Sequence, residues 1–112
     1  MDDCIFCKIL SGVIPSKKAW ENDSVFAFHD ISPVSPTHIL IIPKKHIPSV
    51  AEATDDNKEI LGELILAAKK IASELKIDDY RLIINNGRKV GQSVFHIHVH
   101  LLAGRFFSWP PG

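Results

Sequence analysis

Three histidines alternate with apolar residues near the end of the chain, at His96, His98 and His100. Strand side chains switch faces at every residue, so this spacing predicts three imidazoles on one face, at intervals of about 6.5 to 7 Å, with Ile97 and Val99 facing the core. Crowded imidazoles oppose each other's protonation, which favours neutral rings with a nitrogen free for attack or ligation. A lone strand histidine is more typical of a structural role, whereas three in register favour chemistry.

The polar segment 87–93, Gly-Arg-Lys-Val-Gly-Gln-Ser, comes just before the histidine row. Its glycines allow backbone N–H groups to turn toward an anion, and several such donors form a nest of the size of a phosphate. Next to three histidines, this loop predicts a bound phosphoryl group with an imidazole positioned to attack it.

The helices and strands that must position these groups can be predicted from the spacing of apolar residues and from the Pro, Gly and Asn-Asp residues that separate them. The apolar run in 38–44 predicts a central strand covered on both faces, and three- and four-residue spacing predicts one long amphipathic helix. The order is α+β, in a single domain, residues 1–112, with a C-terminal tail, 103–112. The predicted strands are 17–21, 24–29, 38–44, 80–86 and 96–102, and the predicted helices are a short one at 4–10 and a long one at about 54–75.

Composition limits the class of protein further. The chain has 112 residues, of which 46% are hydrophobic and 23% charged, which is typical of a soluble globular domain and not of a disordered chain. Thirteen basic and thirteen acidic side chains cancel, so no global field favours nucleic acid or an anionic membrane as a partner. With no signal-like or membrane-spanning stretch and only two cysteines, we expect a cytoplasmic protein.

The histidine row also resembles the signature of a known family. Residues 96–102 match the histidine triad (HIT) pattern of His, apolar, His, apolar, His, apolar, apolar. The resemblance implies a HIT-like α+β fold with an antiparallel sheet, a homodimer formed through the long helix and the 80–86 strand, and hydrolysis or transfer of nucleoside monophosphate groups. The other segments that resemble the Hint branch of this family are 28–33, 36–38, 42–46, 91–94 and 109–112.

The resemblance implies a role for each matching residue. His98 takes the position of the nucleophile, which would attack the α-phosphorus and form a nucleotidyl-imidazole intermediate that water cleaves. His100 and His38 match residues that support the nucleophile and the phosphate oxygens. Ser93 matches a hydroxyl that contacts the phosphate and leaving group, and Gly91 a backbone contact to phosphate.

The resemblance also implies which residues bind the nucleoside. Asn85 matches an amide near the ribose and phosphate, Asp30 a carboxylate that accepts hydrogen bonds from the ribose hydroxyls, and Trp109 a tail residue that reaches the partner's site. Purines suit the flat apolar slot that surrounds the base. The residues that match this slot are Ile5, Phe6, Ile9, Phe28, Ile31 and Leu40.

Several of these residues also suit structural roles. Phe28 and Leu40 could be ordinary core residues, and Asp30 could start a turn. Asn86 could be the turn residue next to Asn85, and Trp109 could belong to a rigid tail packed on its own subunit. His29 matches no family role.

The chemistry favours a purine nucleoside phosphoramidase that cleaves a phosphorus–nitrogen bond. A neutral imidazole is a good nucleophile toward phosphorus, the loop would offset charge on the phosphate oxygens, and an amine leaves once it is protonated, so no cofactor is required for the chemical step. The alternatives are a hydrolase of dinucleoside polyphosphates and an interaction module that merely binds nucleotide. A metal enzyme that uses the triad as ligands is disfavoured, because three imidazoles spread along a strand do not converge on one ion.

Cys4 and Cys7 form a single C-x-x-C pair at the start of the chain. Their position does not suit a thioredoxin-type site. Zinc needs about four ligands, and His46 and His96 could supply the other two in a structural site that keeps His96 out of catalysis. The resemblance agrees, since many bacterial HIT proteins bind zinc through such a set, whereas the eukaryotic Hint branch lacks both cysteines. The alternative is two buried free thiols.

Overall fold

Five antiparallel strands form one sheet in the computed structural model, which describes residues 3–112. The strand order is β1-β2-β3-β5-β4, and one long helix, α2, covers one face. The predicted α+β class is confirmed. The elements are α1 (Ile5–Leu10), β1 (Lys18–Glu21), β2 (Val25–His29), β3 (Thr37–Pro43), α2 (Lys58–Glu74), β4 (Arg81–Ile83) and β5 (Val99–Ala103), with 3-10 turns at Val50–Glu52, Asp55–Asn57 and Arg88–Val90.

Strand β3 lies in the middle of the sheet and is buried on both faces, as its apolar run predicts. Ile39 and Ile41 pack with Leu64 of α2 in one cluster, whereas Leu40 and Ile42 pack with Phe6 in a second cluster on the opposite face. The sheet therefore separates a large core under the long helix from a smaller one under α1.

The last strand is shorter than predicted. It begins at Val99 and not at 96, so His96 and His98 lie in an irregular segment before the strand. The predicted alternation of faces still holds, because Ile97 and Val99 are at most 1% exposed and belong to the core under α2. The strand ends at Ala103, the first residue of the predicted tail.

Two other predicted elements differ by more than one residue at an end, whereas α1, β1, β2 and β3 differ by one. Strand β4 stops at Ile83, three residues earlier than predicted, and the chain then turns into the 87–93 loop. The long helix begins at Lys58 because a 3-10 turn over Asp55–Asn57 precedes it, closed by the Thr54 N–H, which donates to Asn57 Oδ1 at 2.9 Å. Within residues 3–112, none of the helices combines the length and apolar character needed to cross a membrane.

Candidate active site and metal-binding cluster

The histidine segment lies against the sheet face that α1 covers. Its backbone is fixed by the Ile97 N–H, which donates to the Ile47 carbonyl at 2.7 Å. Because Ile97 enters the core under α2, the neighbouring His96 and His98 side chains lie on the opposite side, beside Phe6. The predicted common face of the three imidazoles is thus present, although only His100 of the three belongs to β5.

His98 has a defined tautomer. Its Nδ1 lies 2.8 Å from the His96 carbonyl oxygen, which can only accept, so Nδ1 carries the proton and Nε2 keeps its lone pair. The ring is 6% exposed and meets the Phe6 ring edge-on at a centroid distance of 5.1 Å. Burial lowers the pKa of His98 and so favours the neutral ring. His98 thus holds an unprotonated nitrogen in a fixed orientation.

His38 and His100 form a second, linked pair. The Val34 N–H donates to His38 Nδ1 at 3.1 Å, so the proton of neutral His38 is on Nε2, 2.9 Å from His100 Nδ1. His100 Nδ1 therefore accepts, and its own proton lies on Nε2. This Nε2 is buried and finds no hydrogen-bond partner among residues 3–112. A buried N–H without a partner is costly, and a ligand oxygen would satisfy it.

The histidines are neutral chiefly because they are buried. The pKa of His100 is lowered to about 4, chiefly by burial, with smaller contributions from the neighbouring His98 and His38 and against the opposing effect of the Asp30 carboxylate. Burial also lowers the pKa of His38, against the opposing effect of the Asp30 carboxylate. Mutual crowding of the imidazoles, which the sequence suggested as the cause of their neutral state, lowers the pKa of His100 less than burial does.

Asp30 lies at the edge of this pair. Its Oδ1 accepts the Ser32 N–H at 2.7 Å, which is the turn role considered from the sequence, and its Oδ2 lies 3.4 Å from His38 Nε2. Asp30, His38 and His100 are close enough together to suggest a metal site. However, the Val34 N–H occupies the lone pair on His38 Nδ1, so Nε2 of the neutral ring carries a proton and is not a ligand.

A separate cluster brings Cys4 and Cys7 together with His46 and His96, and one ligand atom from each lies within 4.8 Å of the others. His96 Nε2 lies 2.8 Å from the Pro43 carbonyl and therefore carries the proton, which leaves the Nδ1 lone pair facing the cluster. That nitrogen lies 3.4 Å from Cys4 Sγ, 3.6 Å from Cys7 Sγ and 3.2 Å from His46 Nδ1. The four residues are arranged to hold a metal ion.

The 87–93 loop owes its shape to two glycines and a buried amide. Gly87 and Gly91 have φ values of 106° and 107°, which side chains disfavour. Gln92 is 2% exposed, accepts the Gly87 N–H at 2.8 Å and donates to the Pro48 carbonyl at 2.8 Å. No role for Gln92 could be predicted from the sequence, because a glutamine between Gly and Ser is typical of an ordinary loop.

The other candidate residues on this loop lie toward solvent. Ser93 is exposed and lines a cavity of about 290 Å³ together with Cys4 and His46. Asn85 is half-buried, with its side-chain nitrogen next to Gly91. Asn86 holds the other end of the loop, since its Oδ1 accepts the Ala51 N–H at 2.7 Å.

The predicted base-slot residues divide into two groups. Phe6, Phe28 and Leu40 are buried and, with the partly buried Ile9, belong to the apolar cluster beside His98. Ile5 and Ile31 are 49% and 97% exposed and are not part of that cluster. Trp109 is 82% exposed on the tail.

The fold and the site together define a protein with neutral imidazoles along one face of its sheet and a glycine-containing loop, residues 87–93, before them. In this loop the N–H groups of Gly87, Gly91 and Gln92 donate within the protein and not, as the sequence predicted, toward an anion. The chain belongs to the HIT domain family, whose family model matches residues 11–107.

Similar proteins cover nearly the whole chain. An uncharacterized HIT-like protein of Synechocystis sp. is 50% identical over an alignment of 112 positions that covers 99% of this chain and 98% of that protein. The crystal structure of a HIT family hydrolase from Legionella pneumophila is 46% identical, with a TM-score of 0.95 over 98% of this chain and 100% of the other. That of a histidine triad nucleotide-binding protein from Candida albicans is 37% identical, with a TM-score of 0.82 over 96% and 83%.

Proposed function

We propose that this protein is a nucleotidyl hydrolase that releases a purine nucleoside monophosphate from a phosphorus–nitrogen bond. The observation that carries the proposal is the tautomer of His98, whose Nδ1–H is engaged by the His96 carbonyl and whose Nε2 is left as a nucleophile. A binding module has no need of an oriented, unprotonated ring nitrogen. The Legionella relative is named a hydrolase, which agrees with this class of activity.

The proposed reaction has two steps. In the first, His98 Nε2 attacks the α-phosphorus, the phosphorus–nitrogen bond breaks, and the amine leaves as it takes up a proton. The Nδ1–H of the resulting imidazolium keeps its hydrogen bond to the His96 carbonyl, which stabilises the positive charge. In the second step, water attacks the same phosphorus and releases the monophosphate and neutral His98.

The groups around His98 have complementary roles in this proposal. The unpartnered Nε2–H of His100 donates to a phosphate oxygen, and His38 fixes His100 in the tautomer that can do so. Gly91 would lie against the phosphate through its backbone, although its own N–H already donates to the Arg88 carbonyl at 3.0 Å. The Ser93 hydroxyl would contact the leaving group. Charge that develops on the phosphoryl oxygens is stabilised without a cofactor in the chemical step.

The nucleoside would lie over the apolar cluster beside His98. Phe6 and Phe28, whose rings meet edge-on at 5.4 Å, supply flat apolar surface for a base, with Leu40 behind them. Asp30 Oδ2 is available to the ribose hydroxyls, and Asn85 lies between the ribose and the loop. The name of the Candida relative, a nucleotide-binding protein, supports this class of ligand.

A direct comparison of substrates tests the proposal. We expect purified protein to release AMP from adenosine 5′-phosphoramidate, as followed by chromatography, at least about tenfold faster than from a diadenosine polyphosphate, since an amine leaves readily once it is protonated. Faster cleavage of the polyphosphate would favour the dinucleoside polyphosphate hydrolase. Inactivity on both substrates, with AMP still bound, would favour the interaction module.

For the four-residue cluster we propose structural zinc. Tetrahedral zinc, with bonds of about 2.3 Å to sulfur and about 2.0 to 2.1 Å to nitrogen, separates its ligand atoms by about 3.3 to 3.8 Å. The separations of 3.2 Å between the two Nδ1 atoms and 3.4 Å from Cys7 Sγ to His46 Nδ1 are close to these values. Two thiolates and two imidazoles fill the coordination sphere, which suits a structural and not a catalytic site.

We also propose that residues 1–112 form one HIT domain that pairs with a second copy, and that its tail, 103–112, reaches the partner's site through Trp109. Strand β4 is an edge strand, and an unpaired edge invites another strand. Ile65 and Leu66 on α2 are 44% and 54% exposed, although the helix buries its other face in the core. Two-fold pairing of β4 and α2 would cover both surfaces.

Sedimentation and a truncation test this pairing. We expect the full chain to sediment as a dimer, and a chain that ends at Ser108 to remain a dimer but to discriminate less between leaving groups, since it lacks Trp109. Arg81, which donates to the Ser108 carbonyl at 3.2 Å, keeps its contact in this truncation. A monomeric full chain would contradict the pairing, and unchanged leaving-group preference would contradict the role of the tail.

A further inference from the structure

The metal-binding cluster is joined to the nucleophile by two short connections. The first is His96, whose ring faces the two sulfurs while its own carbonyl accepts the Nδ1–H of His98. The second is Phe6 of α1, which lies between Cys4 and Cys7 in the sequence. Its ring packs edge-on against the His98 ring, with centroids 5.1 Å apart, and against the His96 ring, with centroids 5.9 Å apart. A change at the sulfurs therefore reaches the groups that orient His98.

The two sulfurs are also placed to react with each other. Their Sγ atoms lie within 4.8 Å, and three-residue spacing at the start of a helix brings the two backbones within the range that a disulfide spans. Both cysteines are only half-buried, and Cys4 lines the cavity of about 290 Å³ that Ser93 shares. A small oxidant can enter there.

We propose that the Cys4–Cys7 pair is a redox-sensitive modification site that controls His98, with a peroxide as oxidant; this inference rests on the proposed zinc site and nucleophile. The two thiolates reduce one molecule of peroxide in a two-electron step. One sulfur–sulfur bond forms, the oxygen–oxygen bond breaks, and two protons from solvent complete two molecules of water. His46 and His96, the two ligands that remain, would not retain zinc, which would be released with its charge unchanged.

Oxidation would loosen the support of the nucleophile. His96 Nδ1 would lose its partner in the cluster, and α1 would lose the contact in which Cys4 Sγ accepts the Cys7 N–H at 3.3 Å. Movement of His96 and Phe6 then releases His98 from its single tautomer. Changes to residues that support a ligand or catalytic group typically cost about 10- to 100-fold in activity, and we expect a fall in turnover of about that size.

The test uses the full-length, zinc-loaded protein without a histidine tag, treated with hydrogen peroxide. Four readouts are followed: the loss of two hydrogens by intact mass, zinc release by a colorimetric indicator, the His98 tautomer by nitrogen NMR of the imidazoles, and AMP release. We expect disulfide formation, zinc release and loss of a single His98 tautomer to proceed together with the fall in turnover. Dithiothreitol with added zinc should restore all four.

The double variant Cys4→Ala/Cys7→Ala is the matched control. It should have reduced turnover before treatment, no zinc, and no further change with peroxide. Disulfide formation and zinc release with unchanged turnover and His98 spectrum would overturn the coupling, and the absence of a disulfide would overturn the modification site. If the untreated protein is inactive on nucleotidyl substrates, the proposed function fails, while the mass, zinc and NMR readouts still decide this proposal.

Discussion

Replacement of His98 by asparagine should abolish turnover of the phosphoramidate while leaving the protein folded. The asparagine side-chain N–H can still donate to the His96 carbonyl, which His98 Nδ1 approaches at 2.8 Å in the native protein, but it has no counterpart of Nε2. Loss of a nucleophile removes the covalent path, and we expect turnover to fall by at least about a thousandfold. AMP release and circular dichroism, measured on the same samples, check the two parts of the prediction.

A matched control and a trapping experiment make this result specific. His29→Asn should keep native turnover, because His29 lies in β2 and takes no part in the proposed site. Rapid quenching of the native protein should give a nucleotidyl adduct on the peptide that contains His98, and the His98→Asn variant should give none. If His98→Asn retains more than about a tenth of native turnover, His98 is not the nucleophile, because removal of a nucleophile costs far more activity than that.

The faces of the sheet could be predicted from local pattern. Ile97 and Val99 alternate with histidines, and burial of apolar side chains decides which face they take, whether or not the segment belongs to a regular strand. The apolar run of β3 likewise indicates a strand with core on both sides. Such patterns depend only on the identity of neighbouring residues, so the sequence carries them in full.

The chemical state of the site depends on backbone groups that no regular sequence pattern indicates. The His96 tautomer is set by the carbonyl of Pro43 and the His38 tautomer by the N–H of Val34, and both groups lie in irregular segments or at a strand end. The start of β5 is set in the same way, because Ile97 pairs with the Ile47 carbonyl and not with a strand. The spacing of apolar residues does not indicate these contacts, and for this reason the strand predicted at 96–102 begins too early.

Some candidate residues could be predicted from the sequence, whereas the roles of others depend on tertiary contacts. The grouping of Cys4 and Cys7 with His46 and His96 was predicted by counting unassigned ligands, and the structure brings these four together. The neutral state of the triad was also predicted, but its main cause, burial, required knowledge of the tertiary packing around the three rings. Gln92 went unnoticed, since only its contacts distinguish it from other loop glutamines.

The second large effect should follow substitution of a cluster ligand. Native protein purified without a histidine tag should contain about one equivalent of zinc, and His46→Ala should lose it, because three ligands bind a structural ion far less tightly than four. The zinc ties α1 to the segment that holds His96, and its free energy of binding adds to that of folding. We expect the variant to lose at least about 2 kcal/mol of stability, a fall in Tm of roughly 10 °C for a domain of this size.

Lys45→Ala provides the matched control for this substitution, because Lys45 is the exposed neighbour of His46 and offers no ligand to the cluster. It should keep both the zinc and the native Tm, as measured by elemental analysis and calorimetry. The instability of His46→Ala must also depend on the metal: a chelator should lower the Tm of the native protein toward that of the variant, and added zinc should raise it again. If native protein holds less than a few tenths of an equivalent and chelation changes nothing, the two half-buried cysteines are free thiols that stabilise α1 by packing alone.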